Sequence, residues 1–341
     1  MRTHALRLGV VLFAGALVAG LGLAAADPVA AQQAVSCDET LEVDIPETQD
    51  AMLSELRALE GSPGMEAYSE FELIRSQAVL GIQAGEFTPT DRERTAGVIR
   101  VLYSFEQAHS CLETGEYRAA LEAANETEQL VADLPGEQGA HFRAVADVGL
   151  LRFYEVAGGE LLGLGEQQEV TPDRIETFSL AATAFRQAGA VDRFSQLSAR
   201  LEEIEREFTD DMARVDDSIA AAEEFADECE DCDSVGAILT THGTAVFSMY
   251  RAGLDAREEV ETADALVAQH GVEEPAVRDA ETAVDERTTS LALASAAVLA
   301  GWGAVVGLLA GIATSRIVAW KRDLETATAG DVLLIGRLLD A

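Results

Sequence analysis

Lysine is nearly missing from this chain: Lys321 stands alone against 23 arginines, and Asn125 is the single asparagine. Basic residues as a whole are scarce, 24 against 61 acidic ones, which gives a formal net charge of −37. A surface of that sign repels phosphates, so nucleic acid is excluded as an expected partner. Proline occurs only 7 times, aromatic residues make up 6%, and alternating β-branched runs are almost absent. With Ala, Leu, Glu and Arg dominant, local preference is helical nearly throughout, and strands are excluded from the expected fold. The motifs of hydrolysis and phosphoryl transfer are missing as well. There is no His-Glu-x-x-His, no Gly-x-Ser-x-Gly and no glycine-rich loop ending in Lys-Ser/Thr. The acid pairs Asp210-Asp211 and Asp216-Asp217 lack the alternation of Asp and Gly that a calcium loop needs, and read as solvated helix faces. No catalytic, cofactor-binding or metal-binding residue is assigned, no cofactor is expected, and the chain is read as a non-enzyme.

What is present begins with an unbroken apolar run of 23 residues, Leu291 to Ala313. A charge-free stretch of that length crosses a bilayer as a helix, because only a helix satisfies its backbone polar groups inside lipid. Arg316, Lys321 and Arg322 follow it and Asp285 and Glu286 precede it, so the positive-inside rule places the C-terminus in the cytosol. The first 31 residues have the parts of an export signal: Arg2 and Arg7, an apolar segment from Leu8 to Ala26, and small residues ending at Val29-Ala30-Ala31. Cleavage after Ala31 is the expectation, with an uncleaved anchor as the alternative because the apolar segment is long. The expected order is a signal peptide (1–31), an exported helical domain (32–232), exported membrane-proximal helices (233–290), a transmembrane helix (291–313) and a short cytosolic tail (314–341).

Of the charged residues, 56 acids and 18 bases fall in the exported part. Self-repulsion of that size opposes compaction at ordinary ionic strength, whereas molar salt shortens the Debye length to about 3 Å and removes most of the penalty. The scarcity of lysine and asparagine beside this acidity resembles proteins of extremely halophilic archaea, which implies a solvated surface suited to brine.

The fold class expected is all-α: an antiparallel helical bundle or a short array of helical hairpins, followed by one C-terminal transmembrane helix. Helices are expected over Thr48–Leu59, Met65–Ala84, Thr90–Glu113, Tyr117–Leu134, Ala140–Val156, Arg174–Ala188 and Val191–Phe225. A further segment runs from Ser234 to His270, and a last helix starts at Pro275. Gly61-Ser62-Pro63-Gly64, Gly85, Gly115, Pro135-Gly136, Gly158-Gly159 and Pro172 punctuate the pattern. The stretch from Gly158 to Val170 is expected as a connector. Val277, Val284 and Leu291 recur every seven residues, an apolar line that faces either a neighbouring chain or this chain's own helices.

Around Leu112-Glu113-Thr114-Gly115-Glu116-Tyr117-Arg118-Ala119-Ala120-Leu121 the chain resembles the middle of a tetratricopeptide repeat, where glycine ends one helix and Tyr and Ala pack the next against it. Phe178, Ala182, Phe185 and Gly189 resemble the first half of another unit. Ser104, Gln107, Cys111, Thr127 and Phe194 depart from the family's pattern, and the likeness covers under a quarter of the chain. The resemblance implies stacked helical hairpins with small residues at close crossings beside groove-filling aromatics, and a surface for protein or peptide binding.

The four cysteines, Cys37, Cys111, Cys229 and Cys232, all lie in the expected exported part, where an even count favours disulfides. Cys229 and Cys232 are close enough for a local bridge, which leaves Cys37 for Cys111. That second bridge closes a long loop and contributes about 2 to 4 kcal/mol. The Cys-x-x-Cys pair is also compatible with a redox centre, but Asp227, Glu228, Glu230, Asp231 and Asp233 surround it and oppose a thiolate. Zinc requires further ligands, and His4, His109, His141, His242 and His270 show no paired spacing. Asn125-Glu126-Thr127 is a glycosylation sequon. Gly303, Gly307 and Gly311 line one face of the span, where a second helix can approach closely, so a homodimer is expected there. Trp320 with Lys321 and Arg322 suits the cytosolic interface, and Val332, Leu333, Leu334, Ile335, Leu338 and Leu339 form an apolar cluster in the tail.

Together these features describe a single-pass cell-surface protein whose exported helical domain serves protein–protein interaction or scaffolding. The alternatives are a membrane-tethered thiol-disulfide oxidoreductase using Cys229 and Cys232, and an accessory subunit of a receptor or transporter.

Overall fold

The structure, a computed structural model, describes Cys37 and residues 44–84, 87–232 and 234–339. The expected signal peptide and the Gly85 turn lie outside the described residues, as do the side chains of the apolar tail cluster. Among the described residues the chain is all helical, with no strand. Helices α1 (Gln49–Ala58), α2 (Pro63–Ala67), α3 (Ser69–Gln83), α4 (Pro89–Glu113), α5 (Tyr117–Ala132), α6 (Gly136–Gly165) and α7 (Thr171–Gln187) lead into a 38-residue α8 (Val191–Glu228). After α9 (Val235–Thr241) and one 3-10 turn (Gly243–Ala245) come α10 (Val246–His270) and α11 (Pro275–Leu339).

Local chemistry sets most boundaries. Thr88 caps α4 in a reciprocal box with Asp91, and Pro89 supplies the first-turn residue whose missing N–H costs nothing there. Gly115 and Gly189 end α4 and α7 with φ of +80° and +67°, where a Cβ would be strained. The next N–H then reaches back into the helix in the same way at both turns: Glu116 donates to the Cys111 carbonyl at 2.8 Å, and Ala190 donates to that of Phe185 at 2.9 Å.

Three expected segments are corrected. Met65–Ala84 is not one helix, because Tyr68 is extended (φ −125°, ψ 93°) between α2 and α3. This break drives its ring into the core, edge-on to Phe105 at 5.1 Å. Gly158-Gly159 does not begin a connector either, since α6 continues through it to Gly165. The Phe185 ring lies within 2.9 Å of where a Cβ on Gly158 would sit, so that glycine lets α7 approach α6. The segment from Ser234 to His270 is also divided, at Gly243 with φ +52°.

The helices enclose two apolar cores that share α8. The first runs from Met52 to Leu197 and is built on stacked Phe71 and Phe105 rings, 3.6 Å apart, with Phe153 edge-on. Consecutive helices α4 to α8 pack each on the next, and α3 lies on α6. The second core, Val215 to Ala294, lies between the end of α8, α10 and the start of α11, with α9 packed on α11. The two cores thus meet along α8. Val277, Val284 and Leu291 are all buried in this second core, so their seven-residue line faces the chain's own helices.

Helix α11 then leaves the protein. Val298 still touches the second core, but every residue from Leu299 to Leu324 is exposed. Its most apolar stretch has mean hydropathy 2.0 and none of it is buried, which makes α11 the one candidate membrane span among the described residues.

Candidate functional site

Apart from α11, eight large hydrophobic side chains are exposed among the described residues, and five belong to the contacting pair α3 and α6. Gly149 makes the pair close: the Phe71 ring comes within 2.8 Å of where a Cβ on it would sit, so only glycine admits α3 at that distance. The exposed faces of the two helices carry Leu73 and Leu80 on α3 and Val148, Leu151 and Val156 on α6. On a chain of charge −37 these apolar side chains stand out, although Asp147, Arg152 and Glu155 are exposed among them on α6.

Charged groups stand at one end of the crossing. Arg152 sits 4.0 Å from Glu70 and places its guanidinium 5.3 Å above the Tyr68 ring. Tyr68 is pushed up to about 12, chiefly by burial and against the lowering effect of Arg152, so its hydroxyl stays neutral at physiological pH. Near it, burial and then Glu113 push the Glu160 carboxyl up, with His109 opposing. Among the described residues no group of three or more His, Cys, Asp or Glu side chains is placed to hold a metal ion. Exposed apolar side chains on α3 and α6 thus stand beside exposed charged ones.

The four cysteines stand in two pairs at disulfide distance. Cys37 joins Cys111 with a Cα separation of 5.7 Å, and Cys229 joins Cys232 at 5.1 Å. Cys111, Cys229 and Cys232 are fully buried. An open cavity of about 570 Å³ touches Cys232 and is otherwise lined by α11 residues from Asp285 to Ser290.

One buried polar group has no sequence motif behind it. His270, the last residue of α10, has its Nε2 at 3.0 Å from the Asp211 carboxylate of α8 and its Nδ1 at 3.0 Å from the Thr171 hydroxyl that opens α7. All three residues are buried, and they tie the two cores together. In the sequence Asp211 reads as half of a solvated acid pair. No local signal marks it, because its partner His270 lies 59 residues away.

The remaining expected residues are dispersed. Asn125 is exposed on α5, while Thr127 of the same sequon is fully buried, donates its hydroxyl to the Ala123 carbonyl at 2.8 Å and lies 2.9 Å from the Ser104 hydroxyl. Two positions that depart from the tetratricopeptide pattern, Ser104 and Thr127, thus form a buried hydroxyl pair between α4 and α5. Gly303, Gly307 and Gly311 lie on the exposed part of α11, where a Cβ would meet nothing within 4 Å. Comparison with protein-family models, curated proteins and solved structures finds no match to the chain.

Proposed function

We propose that this is a single-pass cell-surface protein whose helical domain faces outward from the cell and binds a protein partner through the α3–α6 face. The observation that carries this reading is the concentration of exposed Leu73, Leu80, Val148, Leu151 and Val156 on two packed helices of an otherwise acidic surface. Support for the orientation comes from Arg316, Lys321 and Arg322 on the C-terminal side of the candidate span. Turns of equal geometry at Gly115 and Gly189 support a short tetratricopeptide-like hairpin array, an architecture that offers extended binding faces. The acid excess supports a molecule that works in brine, where the partner meets a screened surface and apolar contact dominates.

A second reading, contact through the span with another copy or with a larger membrane protein, is favoured by the open glycine face of α11. One experiment treats both. Photo-crosslinkers placed at Leu80 and at Val148, in native membranes held in molar salt, should each trap the same discrete partner, and Leu151→Glu should abolish the adduct. Absence of adducts, or adducts indifferent to Leu151→Glu, overturns the α3–α6 reading. Loss of a partner on Gly307→Leu, with the α3–α6 adduct intact, assigns that partner to the span.

A further inference from the structure

We propose that the corner formed by α9, the 3-10 turn and the first turn of α10 rests in the lipid–water interface of the membrane that α11 crosses. This rests on the reading of α11 as a span. Ser234 to Tyr250 is a run of 17 residues without one Asp, Glu, Lys or Arg, in a chain where 25% of residues are charged. No other stretch between the expected cleavage site and Arg287 is free of charge for so long. A short helix and turn that avoids charge in so acidic a protein is not built for water alone.

Packing fixes the height of this corner. A Cβ on Gly253 of α10 would lie 2.7 Å from the Thr288 hydroxyl of α11, and Arg257 reaches Asp285 at 3.5 Å. These two contacts define one antiparallel register, and extending it down α10 sets Val246 beside Ser295. A hydrocarbon core of about 30 Å takes roughly 20 helical residues. Counted back from Arg316, the first charge beyond the apolar run, the upper boundary falls at Ala296. Two independent measures, helix register and bilayer thickness, therefore bring the charge-free corner to the same plane.

The side chains agree with that placement. Ile238 and Val246 are fully buried and hold the corner against the second core, while Phe247 is 40% exposed and Leu293 on α11 is 59% exposed. Val235, Leu239, Met249 and Tyr250 are half-buried against the same core. Aromatic and aliphatic groups at a headgroup boundary gain from partial burial without entering the hydrocarbon. From Phe225, level with Gly253 and Thr288, α8 runs on toward the membrane, so its acidic end, Glu228 with Glu230 and Asp231 beyond it, comes down to just above the Ala296 boundary. That height keeps them among hydrated headgroups. The folded domain thus sits directly on the bilayer, and its tilt is fixed by two contacts instead of one.

The test is fluorescence quenching on the full-length protein in lipid nanodiscs, in molar salt, with lipids brominated either high or low on their acyl chains. Trp302→Phe with Trp320→Phe removes both native tryptophans, and Phe247→Trp then supplies a single reporter. Its emission should fall by at least about twofold with shallow bromines and little with deep ones. Leu80→Trp in the same background, far from the corner, should respond to neither. Native Trp302, read with Trp320→Phe alone, should respond to deep bromines. An unquenched Phe247→Trp reporter beside a quenched Trp302 overturns the interfacial corner and leaves the span in place. An unquenched Trp302 overturns the span itself, and the corner with it.

Discussion

Gly158 and Gly159 are neighbours in α6 with opposite consequences for substitution. Phe185 would stand 2.9 Å from a Cβ on the first, whereas nothing lies within 4 Å of one on the second. Alanine has the higher helix propensity by about 1 kcal/mol, so Gly159→Ala should stabilise the domain by up to that amount. Gly158→Ala gains the same propensity but must displace a buried ring, an overpacking cost of about 1 to 3 kcal/mol, and should be neutral to destabilising. Chemical denaturation of the two variants checks this, and equal shifts would contradict it. The sequence displays both glycines and invites one interpretation, a helix break. What separates them is Phe185, a partner on the next helix, which no local pattern contains.

At the scale of the element, α4 shows how a cap couples a helix to pH. The Thr88 hydroxyl and backbone N–H, and then Arg94, hold the Asp91 carboxyl below its usual range. Because the folded value lies below the unfolded one, this group's contribution is complete above the ordinary carboxylate range, about pH 4, and is lost as pH falls through the folded value. Asp91→Asn should therefore flatten the fall in melting temperature between about pH 6 and pH 3, relative to the parent chain. An unchanged pH profile would remove Asp91 from the account. The helix is legible in the sequence, expected from Thr90, but its cap is not marked there: α4 starts at Pro89 with Thr88 as the cap. Legible too are the helical hairpin at Gly115 and the cysteine pairing, both set by spacing. The break at Tyr68 is not, since it serves the aromatic cluster of Phe105 and Phe153, assembled from helices remote in sequence.

For the whole molecule, the joint between the cores is the element to break. His270→Ala leaves the buried Asp211 carboxylate and the Thr171 hydroxyl without the ring that links them, at a cost of about 2 to 3 kcal/mol. The two cores should then melt in separate steps, and calorimetry should resolve two transitions or one broadened, earlier transition. A single transition at the parent temperature would show that α8 alone carries the coupling. Neither core is a unit that the sequence marks off, because the boundary falls inside a continuous 38-residue helix.

Composition and periodicity alone determined that the chain is helical, that one C-terminal segment is long and apolar enough for a membrane, and which cysteines stand in reach of one another. These follow from local preference, run length and spacing, which are properties of neighbouring residues. Only the tertiary structure decided which helical faces remain bare on α3 and α6, where α8 passes from one core to the other, and how far α11 stays within the protein before it emerges at Leu299. Each of these depends on register between helices far apart in the chain, and register is set by close packing, to which the order of residues along one helix is blind.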